Sequence, residues 1–409
     1  MTYRGEGWAQ PRNLLERGEH DAEVHRIVGS GRTVHCIWRS HKATHHLMVV
    51  PPNCDRVRLH TTIADHHERN TVMPHPVQVA RLTLLSALAI LWSTSPAIAQ
   101  SGSNTMHNPY RMLDNWATLP DGVTWGAVIG IIPDGEGGTW IHHRSEPPIM
   151  HFDATGAVTH TFGDGMFVMA HGFCRDHDGN FWAGDSGPFR DDPRTEGRGY
   201  QFFKFSPEGE LLLTLGEAGV SRAGRDTFIA PTACTVAPDG DILIADGHFP
   251  RPSTAQQDGD RIVRVTADGA FVDAWGQHGS GPGEFDGPHA LAFDSQGRLF
   301  VADRSNNRVQ IFDANMRVVD EWRHFGRPSG IAILSGDRLF VADSESNKTI
   351  ANELRNPGWT NGVRFGRADD GALLGFIDGT DPEGLAVDEL GNVWAGLTST
   401  PILQKWVRD

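Results

Sequence analysis

One short pattern recurs six times along this chain. An alternating apolar run is followed by a turn built on Asp and Gly, then by a second alternating run ending on a small residue and, most often, Asp. Residues 288–313, PHALAFDSQGRLFVADRSNNRVQIFD, carry it most plainly. There His289 to Phe293 alternates, Asp294-Ser295-Gln296-Gly297 turns, and Arg298 to Ala302 alternates again. Asn306 and Asn307 mark the next turn, before Val309, Ile311 and Phe312. Period-two runs this short, separated by turn residues, are β-hairpins. The pattern returns as FCRDHDGNFWAGD (173–185), TVAPDGDILIAD (235–246), IAILSGDRLFVAD (331–343) and LAVDELGNVWAG (385–396), with a divergent copy in VIGIIPDGEGGTWIHHR (128–144). Outer strands follow in runs such as YQFFKFSPEGELLLTLG and RIVRVTADGAFVDAWG. Each unit is too small to bury its own apolar face and must stack on its neighbours, and a repeat of about 50 residues is the size of a propeller blade. The expected fold is all-β: a six-bladed β-propeller over residues 100–409. Its ring is expected to close through an extra strand at residues 115–119, beside residues 402–407.

The chain before the repeats is of another kind. From Met73 it reads MPHPVQVARLTLLSALAILWSTSPAIAQ, with Arg81 before an apolar stretch from Leu82 to Trp92 and a small-x-small ending at Ala97-Ile98-Ala99. About 11 strongly apolar residues are too few to span a bilayer, which takes about 20, and the arrangement is that of a secretory signal peptide at 73–99. The mature form, from Gln100 onward, is therefore expected to be secreted or periplasmic and to lack a membrane span. Residues 1–72 hold nine histidines and show no regular period, so they are expected to be an unstructured extension, or an upstream segment translated from before the true start at Met73. A His-rich metal-binding tail around His41, His45 and His46 is the alternative. Residues 1–100 hold 11 Lys and Arg against 8 acids, a net of +3, so with −15 overall the remainder holds 25 against 43, a net of −18. A propeller that acidic repels phosphate backbones, which excludes nucleic acid as a partner. Four cysteines in 409 residues exclude a disulfide scaffold. Cys174 and Cys234, the two within the repeats, sit one residue out of step relative to their turns and are expected to be buried thiols, with a disulfide, which export permits, as the alternative.

Asp185, Asp246, Asp303 and Asp343 close second runs, and the repeated V-A-D Asp residues, Asp303 and Asp343, are expected to hold turn backbone N–H groups. Function is sought where the repeats differ. At the start of the first run, blade two has Ala170-His171-Gly172, blade four Pro288-His289-Ala290 and blade six Pro382-Glu383-Gly384, against Thr232 and Ser329 in blades three and five. Every second blade of a six-fold ring places three side chains at one point on the axis. Two imidazoles and a carboxylate there make a metal site competent for zinc, with coordination positions left open.

The segment around His289 resembles the fourth blade of the peptidyl-α-hydroxyglycine α-amidating lyases, six-bladed propellers of the NHL-repeat type. The resemblance extends to AHGFCRDHDGNFWAGD, to PTACTVAPDGDILIADGH and to Phe325-Gly326-Arg327, and covers most of 128–396. It implies a zinc ion held by three residues from blades two, four and six, which here are His171, His289 and Glu383. Those lyases have histidine at the third position, and a carboxylate there lowers the Lewis acidity of the metal. The resemblance also implies that Arg144, after His143, holds a substrate carboxylate. His248 follows Asp246-Gly247, where the family carries its catalytic Tyr, and would act as the acid or base. His143, Arg304 and Arg327 are further candidates for substrate binding. The loops at 186–199 and 249–259 are longer than a hairpin needs, and their Arg190, Arg194 and Arg251 could attract an anion.

The expected activity is that of an exported zinc-dependent lyase, cleaving a hydroxyglycine peptide or a small hydroxy or carbonyl compound. A calcium-dependent propeller lactonase or hydrolase is the second reading, and a non-catalytic NHL-repeat binding module the third. The metal bound tells them apart: zinc, calcium or none.

Overall fold

The computed structural model describes residues 104–188, 193–248 and 259–409, together with three strands nearer the N-terminus. These are β1 (Val24–Val28), β2 (Val34–Trp38) and β3 (His46–Val50), an antiparallel meander in a unit of its own, Met1–Ala89. Of the extension expected at 1–72, only these strands are among the described residues. VHRIV, VHCIW and HLMVV are rich in β-branched and large apolar residues, which favour a pleated strand even without strict alternation. The segment 73–99, expected from the sequence to be a signal peptide, lies outside the described residues.

β4 (Tyr110–Leu113) leads into the ring. Blade one is β5 (Val128–Pro133), β6 (Thr139–His143), β7 (Ile149–Phe152) and β8 (Val158–Phe162). Blade two is β9 (Ala170–Arg175), β10 (Phe181–Asp185), β11 (Gln201–Phe205) and β12 (Leu211–Leu215). Blade three is β13 (Pro231–Val236), β14 (Ile242–Asp246), β15 (Arg261–Val265) and β16 (Phe271–Trp275). Blade four is β17 (Pro288–Phe293), β18 (Leu299–Asp303), β19 (Arg308–Phe312) and β20 (Val318–Trp322). Blade five holds β21 (Pro328–Leu334) and β22 (Arg338–Asp343), a small hairpin of β23 (Thr349–Ile350) and β24 (Glu353–Leu354), then β25 (Gly362–Arg367) and β26 (Leu373–Ile377). Blade six is β27 (Pro382–Val387), β28 (Val393–Leu397) and β29 (Ile402–Arg408), completed by β4 as its outer strand. The innermost strands pack side by side around the ring, β27 returning to β5, so six antiparallel blades close on themselves.

The closing strand is not where the sequence placed it. Tyr110 pairs with Arg408 and Leu113 with Lys405. Asn115 takes a left-handed φ of 53° just after β4, which turns the chain out of the sheet. Residues 115–119 instead cover the seam between blades six and one. Trp116 packs on Phe152 and Trp394, and Lys405 Nζ sits 4.8 Å and 4.2 Å from the Trp116 and Trp394 rings. A bulky aromatic at a seam gains more from burial between two blades than from adding one more strand residue.

Among the described residues, the apolar core divides into six clusters, each drawing on two neighbouring blades. Second strands are packed on both faces, so β18 (LFVAD) is buried along its whole length. The four repeated Asp side chains are fully buried and tie the loop ahead of each blade to its second strand. Asp185 accepts from the Val168 and Met169 N–H groups, both at 2.8 Å, and Asp246 from Ile229 and Ala230 at 2.7 and 2.8 Å.

Cys174 and Cys234 are not thiols but a disulfide, with Cα atoms 5.7 Å apart. Neighbouring blades meet front to back. A one-residue offset puts the two cysteines on opposite faces of their own sheets, and for that reason turns them toward each other across the interface.

Candidate functional site

The second residue of each innermost strand lies at the hub: Ile129, His171, Thr232, His289, Ser329 and Glu383 in ring order. Here the strands crowd. A Cβ on Gly384, beside Glu383, would stand 2.5 Å from the Ile129 carbonyl oxygen. The three residues from alternate blades do converge. His289 Nε2 lies 3.2 Å and His171 Nε2 3.6 Å from the same Glu383 Oε1, with the two rings 4.7 Å apart at their centroids.

Their orientation fixes their protonation. His171 Nδ1 donates to the Thr232 carbonyl at 2.5 Å and His289 Nδ1 to the Ser329 carbonyl at 2.7 Å, so each ring leans on the next blade. A carbonyl can only accept, so both Nδ1 atoms carry hydrogen. Burial drives the His171 pKa down to about 3 and that of His289 below its ordinary value, so both rings are neutral. Each Nε2 is then a bare lone pair, buried and without a hydrogen-bond donor. Burial would raise the carboxyl of Glu383, but its charged surroundings, with the Arg144 guanidinium among them, hold it well below its ordinary value and keep it ionised. Three acceptors thus face one another with no proton between them, which is costly unless a cation fills the gap. The donor set fits a divalent transition metal.

His248 joins this group: one ligand atom from each of His171, His248, His289 and Glu383 lies within 4.8 Å of the others. Gly247 makes that possible. A Cβ there would meet Asp260 Oδ1 at 2.0 Å, and its φ of 156° swings the chain over the hub. The His248 ring centroid is 4.8 Å from that of His171, and Arg304 Nη2 donates to His248 Nε2 at 3.3 Å. Burial, then the neighbouring His171 and Arg304, keep His248 neutral.

Arg144, directly after β6, donates from Nε to the Ala170 carbonyl at 3.1 Å, and its Nη2 lies 3.9 Å from Glu383 Oε1. Arg304 Nη1 approaches the same oxygen at 3.7 Å. Above them opens a cavity of about 700 Å³ whose wall includes Arg144, His248, Arg304, Arg327, Glu345 and Glu383. Arg327 lines it with its donors committed to Glu345, the Arg304 carbonyl and Asn307. His143 does not reach the cavity. It accepts from the Gly126 N–H at Nδ1 (3.1 Å) and donates from Nε2 to the Pro147 carbonyl (2.8 Å), pinning a turn at the end of blade one. Arg190, Arg251 and the side chain of Arg194 lie outside the described residues.

The sequence reading passed over Glu345. Its signal was the residue after each closing Asp, which varies as the hub position does: Arg304 after Asp303, Ser344-Glu345 after Asp343, Gly247-His248 after Asp246.

The NHL repeat model matches residues 285–312 and 325–350. The chain is an NHL-repeat β-propeller. This propeller is 34% identical over 183 residues to peptidyl-glycine alpha-amidating monooxygenase B of Xenopus laevis, covering 42% of this chain and 19% of the relative. It is 32% identical over 171 residues to peptidyl-alpha-hydroxyglycine alpha-amidating lyase 1 of Drosophila melanogaster, covering 39% and 28%. Against the first relatives the NHL-repeat chain spans 18–19% of their length. The solved structure of a gluconolactonase from Xanthomonas campestris superposes with a TM-score of 0.51 at 18% identity, covering 74% of this chain and 96% of that one, a likeness of fold. These similarities are consistent with an NHL-repeat, lyase-like family.

Proposed function

We propose that this NHL-repeat propeller is an exported zinc-dependent lyase acting on a peptide that ends in α-hydroxyglycine, or on a small α-hydroxy acid of like chemistry. The observation that carries the reading is the acceptor-only hub of His171, His289 and Glu383, whose Glu383 also lines an arginine-rich cavity. The similarity to amidating lyases supports the reaction class. The Cys174–Cys234 bridge supports export, since disulfides persist in oxidising compartments. Two nitrogen donors disfavour calcium, which prefers oxygen, and so disfavour the lactonase reading. Among the described residues no helix is long and apolar enough to cross a membrane.

His171, His289 and Glu383 would hold the zinc, which when bound supplies Lewis-acid polarisation of the substrate hydroxyl. Arg144 holds the substrate carboxylate, keeping the hydroxyl-bearing carbon over the hub. His248, neutral because buried, takes the hydroxyl proton at Nε2, the lone pair now engaged by Arg304. The carbon–nitrogen bond then breaks, its electron pair stays on nitrogen, and the same proton passes from His248 to that nitrogen. An amide and glyoxylate leave, with all atoms accounted for. Burial makes protonated His248 a strong acid, suited to giving the proton up quickly.

Elemental analysis of the purified protein and a glyoxylate-release assay with a hydroxyglycine peptide test this together. Zinc bound at one ion per chain, with release abolished by chelation, is the expected result. Calcium in its place, or zinc without glyoxylate, overturns the assignment.

A further inference from the structure

Blade five departs from blade four between its second and third long strands. Where blade four passes from Asp303 to Arg308 in a tight turn, blade five inserts residues 344–361 with the β23–β24 hairpin. Thr349 pairs with Leu354 and Ile350 with Glu353, and the Arg355 N–H bonds to the Lys348 carbonyl at 2.9 Å. Alternate residues share a face, so Lys348, Ile350 and Arg355 fall together, and all three line the cavity over the hub. Lys348 and Arg355 thus stand opposite each other across the hairpin, an arrangement of like charges that is unfavourable by itself.

Glu345 is the acid set among them. Its Oε2 is 3.1 Å from Arg327 Nε, pairs also with Arg355 Nη1, and lies 3.9 Å from Arg304 Nε. Burial would raise this carboxyl, but Arg304, Arg327 and Arg355 outweigh it and hold it at about 2. Counting Glu383 and Asp286 beside Glu345, the cavity wall still sets three carboxylates against the five cations Arg144, Arg304, Arg327, Arg355 and Lys348, a surplus of positive charge in a chain of net charge −15. Two of its N–H groups, Arg304 Nε and Arg355 Nε, are buried without a hydrogen-bond acceptor, and the Arg304 side chain is 7% exposed.

We propose that this wall is a second oxyanion subsite, and that the substrate carries two acidic groups. The carboxylate next to the hydroxyl lies at Arg144 beside Glu383, and the far one is taken by Arg355, Lys348 and the Arg304 Nε–H, with Ile350 against the spacer between them. Guanidinium N–H groups suit a carboxylate, and the Nε–H groups of Arg304 and Arg355 have no hydrogen-bond acceptor here. The inference rests on the metal reading only for where the first carboxylate sits.

Calorimetric titration of the purified protein with malate and with β-malamate tests it, because the two differ only in the far carboxylate. Malate is expected to bind at least about tenfold more tightly, the scale of a buried charge-assisted contact. Arg355→Gln and Lys348→Ala should each erase most of that preference, leaving β-malamate affinity and metal content unchanged. Equal binding of the two acids by the wild type, or variants that weaken both alike, overturns the proposal. Elemental analysis of the same purified protein separates the two ideas: a preference for malate in protein isolated without zinc leaves the subsite standing while the zinc assignment falls, and zinc with no preference does the reverse.

Discussion

Glu383 Oε1 is the atom on which the hub turns. Two imidazole nitrogens lie 3.2 and 3.6 Å from it and two guanidinium nitrogens 3.7 and 3.9 Å away. A carboxylate there adds negative charge, which favours holding a cation and tempers how strongly that cation polarises a ligand. Glu383→Gln keeps the shape and removes the charge, and is expected to lower metal content at least about tenfold, whereas Glu383→His should retain zinc; elemental analysis of both reads the outcome directly. His171→Ala should lose the metal as well, and full zinc in that variant would remove the hub from consideration. His248→Ala separates ligand from proton carrier. Metal content is expected to hold while kcat falls about 10²–10⁴-fold, the range for loss of an acid–base group; loss of metal instead would make His248 a fourth ligand.

At the scale of strands, His142 on β6 gives a pH signature. Its Nδ1 donates to the His171 carbonyl at 3.0 Å, and its ring centroid is 4.4 Å from that of Phe167. Burial lowers its pKa from 6.5 to about 3. Between those values the unfolded chain binds a proton that the folded chain refuses. Stability is therefore complete above pH 6.5 and falls as pH drops toward 3, by about 1.4 kcal/mol per pH unit. His142→Gln should reduce the slope of stability against pH by about 1.4 kcal/mol per unit in urea melts run between pH 6 and 4, the depressed His171, His248 and His289 supplying the rest; an unchanged slope would mean His142 does not contribute. The Cys174–Cys234 bridge joins innermost strands of adjacent blades across 60 residues of sequence. Reduction should cost about 2–4 kcal/mol of stability, seen as a lower urea midpoint in dithiothreitol; a midpoint that does not move would mean the blade interface holds without it.

At the scale of the whole molecule, the ring is held shut by β4 against β29. Removing residues 104–113 would expose the edge of β29, Lys405 to Arg408, as unpaired backbone. The shortened protein is expected to melt at lower temperature and to associate through that edge, which calorimetry and light scattering would reveal; an unshifted melting point would mean the Trp116 seam alone closes the ring. The blades were legible because alternation and Asp-Gly turns are local signals, and so was the convergence of His171, His289 and Glu383, because ring symmetry converts equal positions into one point. The closing strand was misplaced because YRML carries little strand pattern, while the aromatic-rich NWATL that follows looked more like one. Glu345 and the β23–β24 arm escaped notice because an insertion has no counterpart in the other repeats to be compared with.

Periodic features can be read from residue order alone: six hairpin units, their turn-holding Asp residues, and three polar side chains on alternate blades. Tertiary structure decided what depends on which faces meet. It bridged two cysteines whose offset seemed to part them, turned His143 into a turn pin, and brought Arg304 and Glu345 to one wall. Contacts between blades join residues far apart in the chain, and no local pattern encodes how two faces will align.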